Sequence, residues 1–328
     1  MGLLPATGLL SACGDEGGSA TTSSGNGGTQ QWRLGLPELK SDSVFQAMGV
    51  AKGFYEEVGI AAELVPLSSG TTTVRGVLSG ELEMGAAGPS GVFAAIESGA
   101  PLIMTGSVLA KVPHLIYVHE SIDSLEDLVG KEIGGGQPGA LLQQLAYASL
   151  QEAGVDPNSV SYVNIGGSPD VFSAIVGGTI PAGVAGSEYT EQLEADPSIP
   201  VKVLAPIRDY LPDYIRNVDC VSERLLKEDR DLVVRAISAY IRGARYAAEN
   251  RDEAIEWAIS ETGATEAGAT GIWEEFTAND LVNVDYSLTP EQVNLSQEVS
   301  VATGALGEVL PYEDITDPSI AEDAKALL

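Results

Sequence analysis

Positive charge is scarce in this chain: 17 Lys and Arg face 47 Asp and Glu, a formal net charge of −30. A field of that sign repels a phosphate backbone, which excludes nucleic acid as a partner. Cysteine is nearly absent, with Cys13 and Cys220 as the whole supply, so no disulfide framework is implied. Histidine is as rare: His114 and His119 fall on opposite faces of an expected strand, and no metal site is expected of them. Long hydrophobic runs are missing as well; past the first dozen residues nothing approaches the roughly 20 apolar residues that span a bilayer. No G-x-S-x-G occurs, since Gly88-Pro89-Ser90-Gly91 has the wrong order, so serine-hydrolase chemistry has no visible machinery. Glu38, Asp42, Asp170 and Glu188 could supply paired carboxylates, but acids are abundant enough that coincidence is the default. Neither an enzyme nor a cofactor is expected.

What is present describes an exported globular protein. With 328 residues, 44% hydrophobic and 20% charged, the chain is large enough for two α/β lobes. Met1 to Ala12 is uncharged and mostly apolar, and Leu10-Ser11-Ala12-Cys13 resembles the lipobox cleaved by lipoprotein signal peptidase. It departs from that pattern in lacking Lys or Arg before the apolar run. Residues 1–12 are accordingly expected to be a signal peptide and Cys13 the lipidated residue. Residues 13–31, mostly Gly, Ser, Thr and other polar types, are expected to be a flexible tether. The expected location is outside the cytoplasm, in the periplasm or on the outer face, held to the cell membrane by the lipid alone.

From Trp32 onward, short apolar runs alternate with amphipathic stretches, the pattern of β-α units around mostly parallel sheets. Arg33 to Leu36 and Ala61 to Val65 read as strands around one helix running from Val44 to Gly59. Strands at Leu102 to Val108 and Leu115 to Val118 adjoin with no helix between them, which marks a crossing from one lobe to the other. The expected division is 32–110 with 216–328 as lobe 1 and 111–215 as lobe 2. A helix is expected from Leu125, and past residue 220 helices over Arg230 to Asn250, Glu253 to Ser260 and Glu291 to Leu306, packing on lobe 1.

Gly134-Gly135-Gly136-Gln137-Pro138-Gly139 fits the dinucleotide fingerprint G-x-G-x-x-G. The next expected strand ends Asn164-Ile165-Gly166-Gly167, without the acid that would bind a ribose, so a cofactor reading is set aside. A glycine-rich turn at a helix start still offers free N–H groups to a polar ligand. Comparable turns recur at Ser41 to Ser43, Ser69 to Thr72, Gly88 to Ser90, Ser168 to Asp170 and Gly186 to Glu188, each between a strand and a helix. Plain helix capping is the commoner job for any one of these hydroxyls; together they outline a crevice at the carboxyl ends of the strands.

Several stretches resemble the sulfonate, nitrate and thiamine-precursor branch of ABC importer binding proteins: Ala51 to Ile60 (AKGFYEEVGI), Val77 to Gly85 (VLSGELEMG), Leu125 to Gly154 and Ala239 to Ala254. The resemblance covers roughly Trp32 to Ala258. It implies a two-lobed, type II periplasmic-binding fold, each lobe a mostly parallel sheet flanked by helices. It also implies a small-molecule solute, ABC permease subunits as partners, and a monomer. Carried over by loop, it places Ser41, Ser69, Thr71, Gly88, Pro89, Ser90, Gln137, Gly139, Ser168 and Ser187 near the solute, with Glu188 and Tyr189 beside them. Lys40 and Arg208 are the only cations expected within reach, which favours a neutral or cationic organic solute. The alternative is an enzyme on the same fold, related to thiamine-pyrimidine-precursor synthases; the cysteine-rich stretch those rely on is missing.

Overall fold

The computed structural model describes residues 29–328; the expected signal peptide, Cys13 and nearly all of the tether lie outside the described residues. Strands β1 (Gln30–Pro37), β2 (Ile60–Leu67), β3 (Met84–Ala87), β4 (Leu102–Gly106), β5 (His114–His119), β6 (Glu132–Gly134), β7 (Ser161–Val163), β8 (Ala182–Gly186), β9 (Val201–Pro206) and β10 (Val218–Ser222) form two sheets. The first has the order β2-β1-β3-β10-β4 and the second β7-β6-β8-β5-β9. In each, three neighbouring strands are parallel and joined through helices. The strand that arrives from the other sheet, β10 or β5, runs antiparallel to both of its neighbours.

Alternation in β1 buries Trp32, Leu34 and Leu36. The helix that follows, Val44–Ala51, buries Val44, Phe45, Ala47 and Met48. It crosses Glu223–Glu249, two helical segments joined at a kink at Asp229, so closely that a Cβ on Gly49 or Gly243 would collide with the other helix's backbone. The single helix expected from Val44 to Gly59 is broken: Gly53 takes φ +72°, and the chain restarts as Phe54–Glu57. The helix expected from Leu125 is one 3-10 turn, Glu126–Leu128; Val129 leaves helical geometry and Gly130 follows with positive φ. Conversely, the helix Glu266–Ala278 was not anticipated, because Gly268 and Gly271 dilute its apolar stripe. Thr265 starts it by accepting from the Gly268 N–H at 3.0 Å.

The chain passes between the sheets twice, and the two passages run side by side. The Arg216 N–H donates to the Ala110 carbonyl (3.1 Å) and the Asn217 N–H to that of Leu109 (3.3 Å). Helix Pro290–Ala302 touches both cores, with Val293 in that of the first sheet and Val299 in that of the second. Its Ser296 hydroxyl accepts from the Ile215 N–H at 3.0 Å. The expected packing of C-terminal helices on the first lobe is seen in Glu223–Glu249 against Val44–Ala51, and Pro318–Lys325 packs on β4 as well.

Candidate functional site

The carboxyl end of β1 turns sharply because Glu38 adopts φ +62°, a left-handed conformation uncommon for a side chain other than glycine. Its N–H is held by the Leu67 carbonyl at 2.9 Å. The turn brings Lys40, Ser41 and Asp42 to a cavity of about 450 Å³ between the sheets, within the size range of small-molecule sites. From the second sheet come His114 at the start of β5, Ser168 and Pro169 at the start of helix Ser168–Val176, and Gly186, Glu188 and Tyr189 at the end of β8. The hairpin of helices Arg251–Thr262 and Glu266–Ala278 closes one side with Thr262, Ile272 and Phe276.

Arg216, in the second passage, is the central cation of this cavity. Its guanidinium pairs with Asp42 and lies over the Phe276 ring at 5.5 Å. Its Nη1 is buried and finds no partner among the described residues. Burial first, and then the charges of Arg216 and Lys40, hold the His114 imidazole down to about 3, so it is neutral at ordinary pH; its Nδ1 is likewise buried without a partner among the described residues. Burial raises the Glu188 carboxyl, partly offset by its own N–H and by Lys40 and Arg216. A Cβ on Gly186 would overlap the Glu188 carboxylate, so only glycine lets that carboxylate fold back over the strand end.

The twelve expected site residues divide. Ser41, Ser168, Glu188 and Tyr189 wall the cavity. The Ser168 hydroxyl accepts from the Gly186 N–H at 3.3 Å, tying two of the turns together. Tyr189 stacks on Phe172 at 4.6 Å, and its hydroxyl is pushed up to about 12, chiefly by burial. Ser187 lines a smaller adjoining cavity with Ile272 and Glu275; its N–H donates to the Pro113 carbonyl at 2.9 Å. The other seven are not walls of the main cavity. Ser69 caps its helix, accepting from the Thr72 N–H at 3.2 Å, with Thr71 exposed beside it. This turn abuts the one formed by Gly88, Pro89 and Ser90, for a Cβ on Gly70 would touch Ala87 and Gly88. Gln137 is exposed, and Gly139, at φ +74°, lies against Ala305. Arg208, expected as a cleft cation, pairs instead with Glu275 at 2.8 Å.

Arg216, His114 and Phe276 were not expected. Arg216 lies 28 residues and Phe276 lies 88 residues past the nearest expected crevice turn, and His114 lies in a strand read only for its face. Nothing local marks them; they converge because two passages and a helical hairpin meet the β1 turn.

Two mixed α/β lobes with a cavity at the carboxyl ends of their strands define a periplasmic-binding-protein architecture. The comparisons agree on the fold. The periplasmic aliphatic sulphonate binding protein SsuA from Escherichia coli superposes with a TM-score of 0.71 at 14% identity, covering 87% of this chain and 91% of that one. The alkanesulfonate-binding protein SsuA from Xanthomonas axonopodis pv. citri, bound to MOPS, gives 0.67 at 16% identity, with 89% and 99% covered. Residues 42–254 match the family model described as NMT1/THI5 like, and the chain belongs to that family. A formylaminopyrimidine-binding protein from Halalkalibacterium halodurans is 23% identical over 216 residues, 64% of each chain, so the match spans somewhat under two thirds of that relative.

Proposed function

We propose that this protein is the solute-binding subunit of an ABC importer, working outside the cytoplasm and tethered by a lipid on Cys13. Residues 32–110 with 216–328 act as one lobe and 111–215 as the other, closing as a monomer around a small organic solute and delivering it to permease subunits. The observation that carries this reading is the cavity: its walls come from both sheets, and the polar atoms Nη1 of Arg216 and Nδ1 of His114 are buried in them without a partner among the described residues. Burying polar groups without partners costs about 1–3 kcal/mol each, a cost that a ligand arriving between the lobes offsets. The relatives support the same reading, since those named above are binding proteins for small organic molecules.

Native mass spectrometry of protein purified gently from its own cells tests it. A retained small solute, whose readdition to stripped protein raises Tm with the ligand unchanged, is the expected result. Failure to retain anything, together with no Tm change across a library of transported solutes, would remove the reading. Conversion of a bound molecule into a new product would favour an enzyme.

A further inference from the structure

We propose that the cavity selects a small zwitterion, with anionic oxygens on Arg216 and a cationic nitrogen against Glu188; this rests on the solute-binding reading above. Besides Tyr189, six titratable side chains face the cavity: Glu38, Lys40, Asp42, His114, Glu188 and Arg216. Two cation–acid pairs cancel, Arg216 with Asp42 and Lys40 with Glu38 at 3.3 Å. His114 is held neutral by burial. Glu188, whose side chain reaches solvent at the cavity wall, forms no ion pair among the described residues, so the cavity keeps one unpaired acid, with Lys40 and Arg216 acting on it only from a distance. It also keeps the unpaired Nη1 of Arg216.

Each of these deficits asks for a different group. A carboxylate or other oxyanion satisfies the guanidinium, but alone it leaves Glu188 uncompensated and must approach a chain of net charge −30. An amine alone compensates Glu188 and leaves the Arg216 donor unmet. A zwitterion meets both and has no net charge to be repelled. Ile272 and Phe276 give the cavity an apolar wall, suited to an alkyl stem joining the two ends. The groups are close enough to act on one another: Arg216 and Lys40 both shift His114 and Glu188.

The test uses the full chain, stripped of solute by unfolding and refolding. Isothermal titration is run with straight-chain amino acids from glycine to the six-carbon ω-amino acid, and with carboxylates and amines of matching length. At least one amino acid is expected to bind about tenfold or more tighter than both of its matched analogues. Glu188→Gln is expected to weaken that binding about tenfold without lowering the Tm of the unliganded protein. Arg216→Lys, which keeps the charge beside Asp42 but loses the planar fork, is expected to weaken the carboxylate end similarly. No binding by any amino acid of the series, equal binding by a matched carboxylate or amine, or an indifferent Glu188→Gln would each overturn the proposal. A neutral or singly charged solute found by native mass spectrometry would overturn it too, while leaving the solute-binding reading in place.

Discussion

Asp219, on β10, lies wholly inside the first lobe, where the Tyr240 hydroxyl donates to its Oδ1 at 3.5 Å. Burial pushes its carboxyl up to about 8, outweighing the hydrogen bonds that favour the charged form. A raised folded-state pKa means the fold is favoured while the proton is bound. This contribution is therefore complete below the unfolded value of 3.8 and is lost as pH rises to about 8. Asp219→Asn should remove the dependence: in urea unfolding, its stability relative to the native chain should climb by several kcal/mol across that window and then level off. His114 carries the opposite sign. With its folded value near 3, its contribution is present above 6.5 and lost as pH falls towards 3. His114→Gln should flatten the acid limb of a Tm-against-pH curve, and an unaltered limb would show the imidazole is not the group responsible. Phe276→Ala removes a fully buried ring stacked on Phe45 at 5.5 Å, at a cost of about 3–5 kcal/mol by chemical denaturation.

At the scale of elements, the tightest constraint is the crossing of Val44–Ala51 with Glu223–Glu249. Gly243→Ala would drive a methyl into the Gly49 backbone and should destabilise by about 1–3 kcal/mol, with solute affinity changed less than stability. The helix Glu266–Ala278 makes a different kind of contact. Its Phe276 belongs to the first lobe's core, while its Glu275 pairs with Arg208, which follows β9 of the second sheet. Both side chains are about a quarter exposed, so a double-mutant cycle should give a coupling of about 1 kcal/mol or less. Arg208→Ala should enlarge the radius of gyration of the unliganded protein in X-ray scattering. An unchanged radius would mean this pair does not hold the lobes together. The helix was invisible to periodicity because two glycines interrupt it, yet Thr265 before Glu266 is a start signal that could have found it.

Over the whole molecule, −30 charges on one chain repel one another. Screening should therefore raise Tm as salt is added, saturating once the Debye length falls to about 3 Å near 1 M; a Tm falling with sodium chloride would refute that account. The β-α units were legible in the sequence, but strand order within each lobe was not. Alternating apolar runs and helical stripes in one dimension announce β-α units, and so two α/β lobes, since that patterning is local. The turns at Ser41, Ser168 and Glu188 were legible for the same reason: glycine and hydroxyl residues between a strand and a helix mark its carboxyl-end loop. Which turns share one cavity was not. Ser69 and Gly139 carry the same local signature as Ser41 and lie elsewhere, because chain direction and lobe closure decide what faces what. The sequence by itself determined the acidic surface, the two α/β lobes and the strand-end turns, all of which follow from composition and short-range periodicity. Only the tertiary structure decided that Arg216, His114 and Phe276 meet Asp42 and Glu188, because residues 28 to 234 positions apart are joined by packing of elements and not by any local pattern.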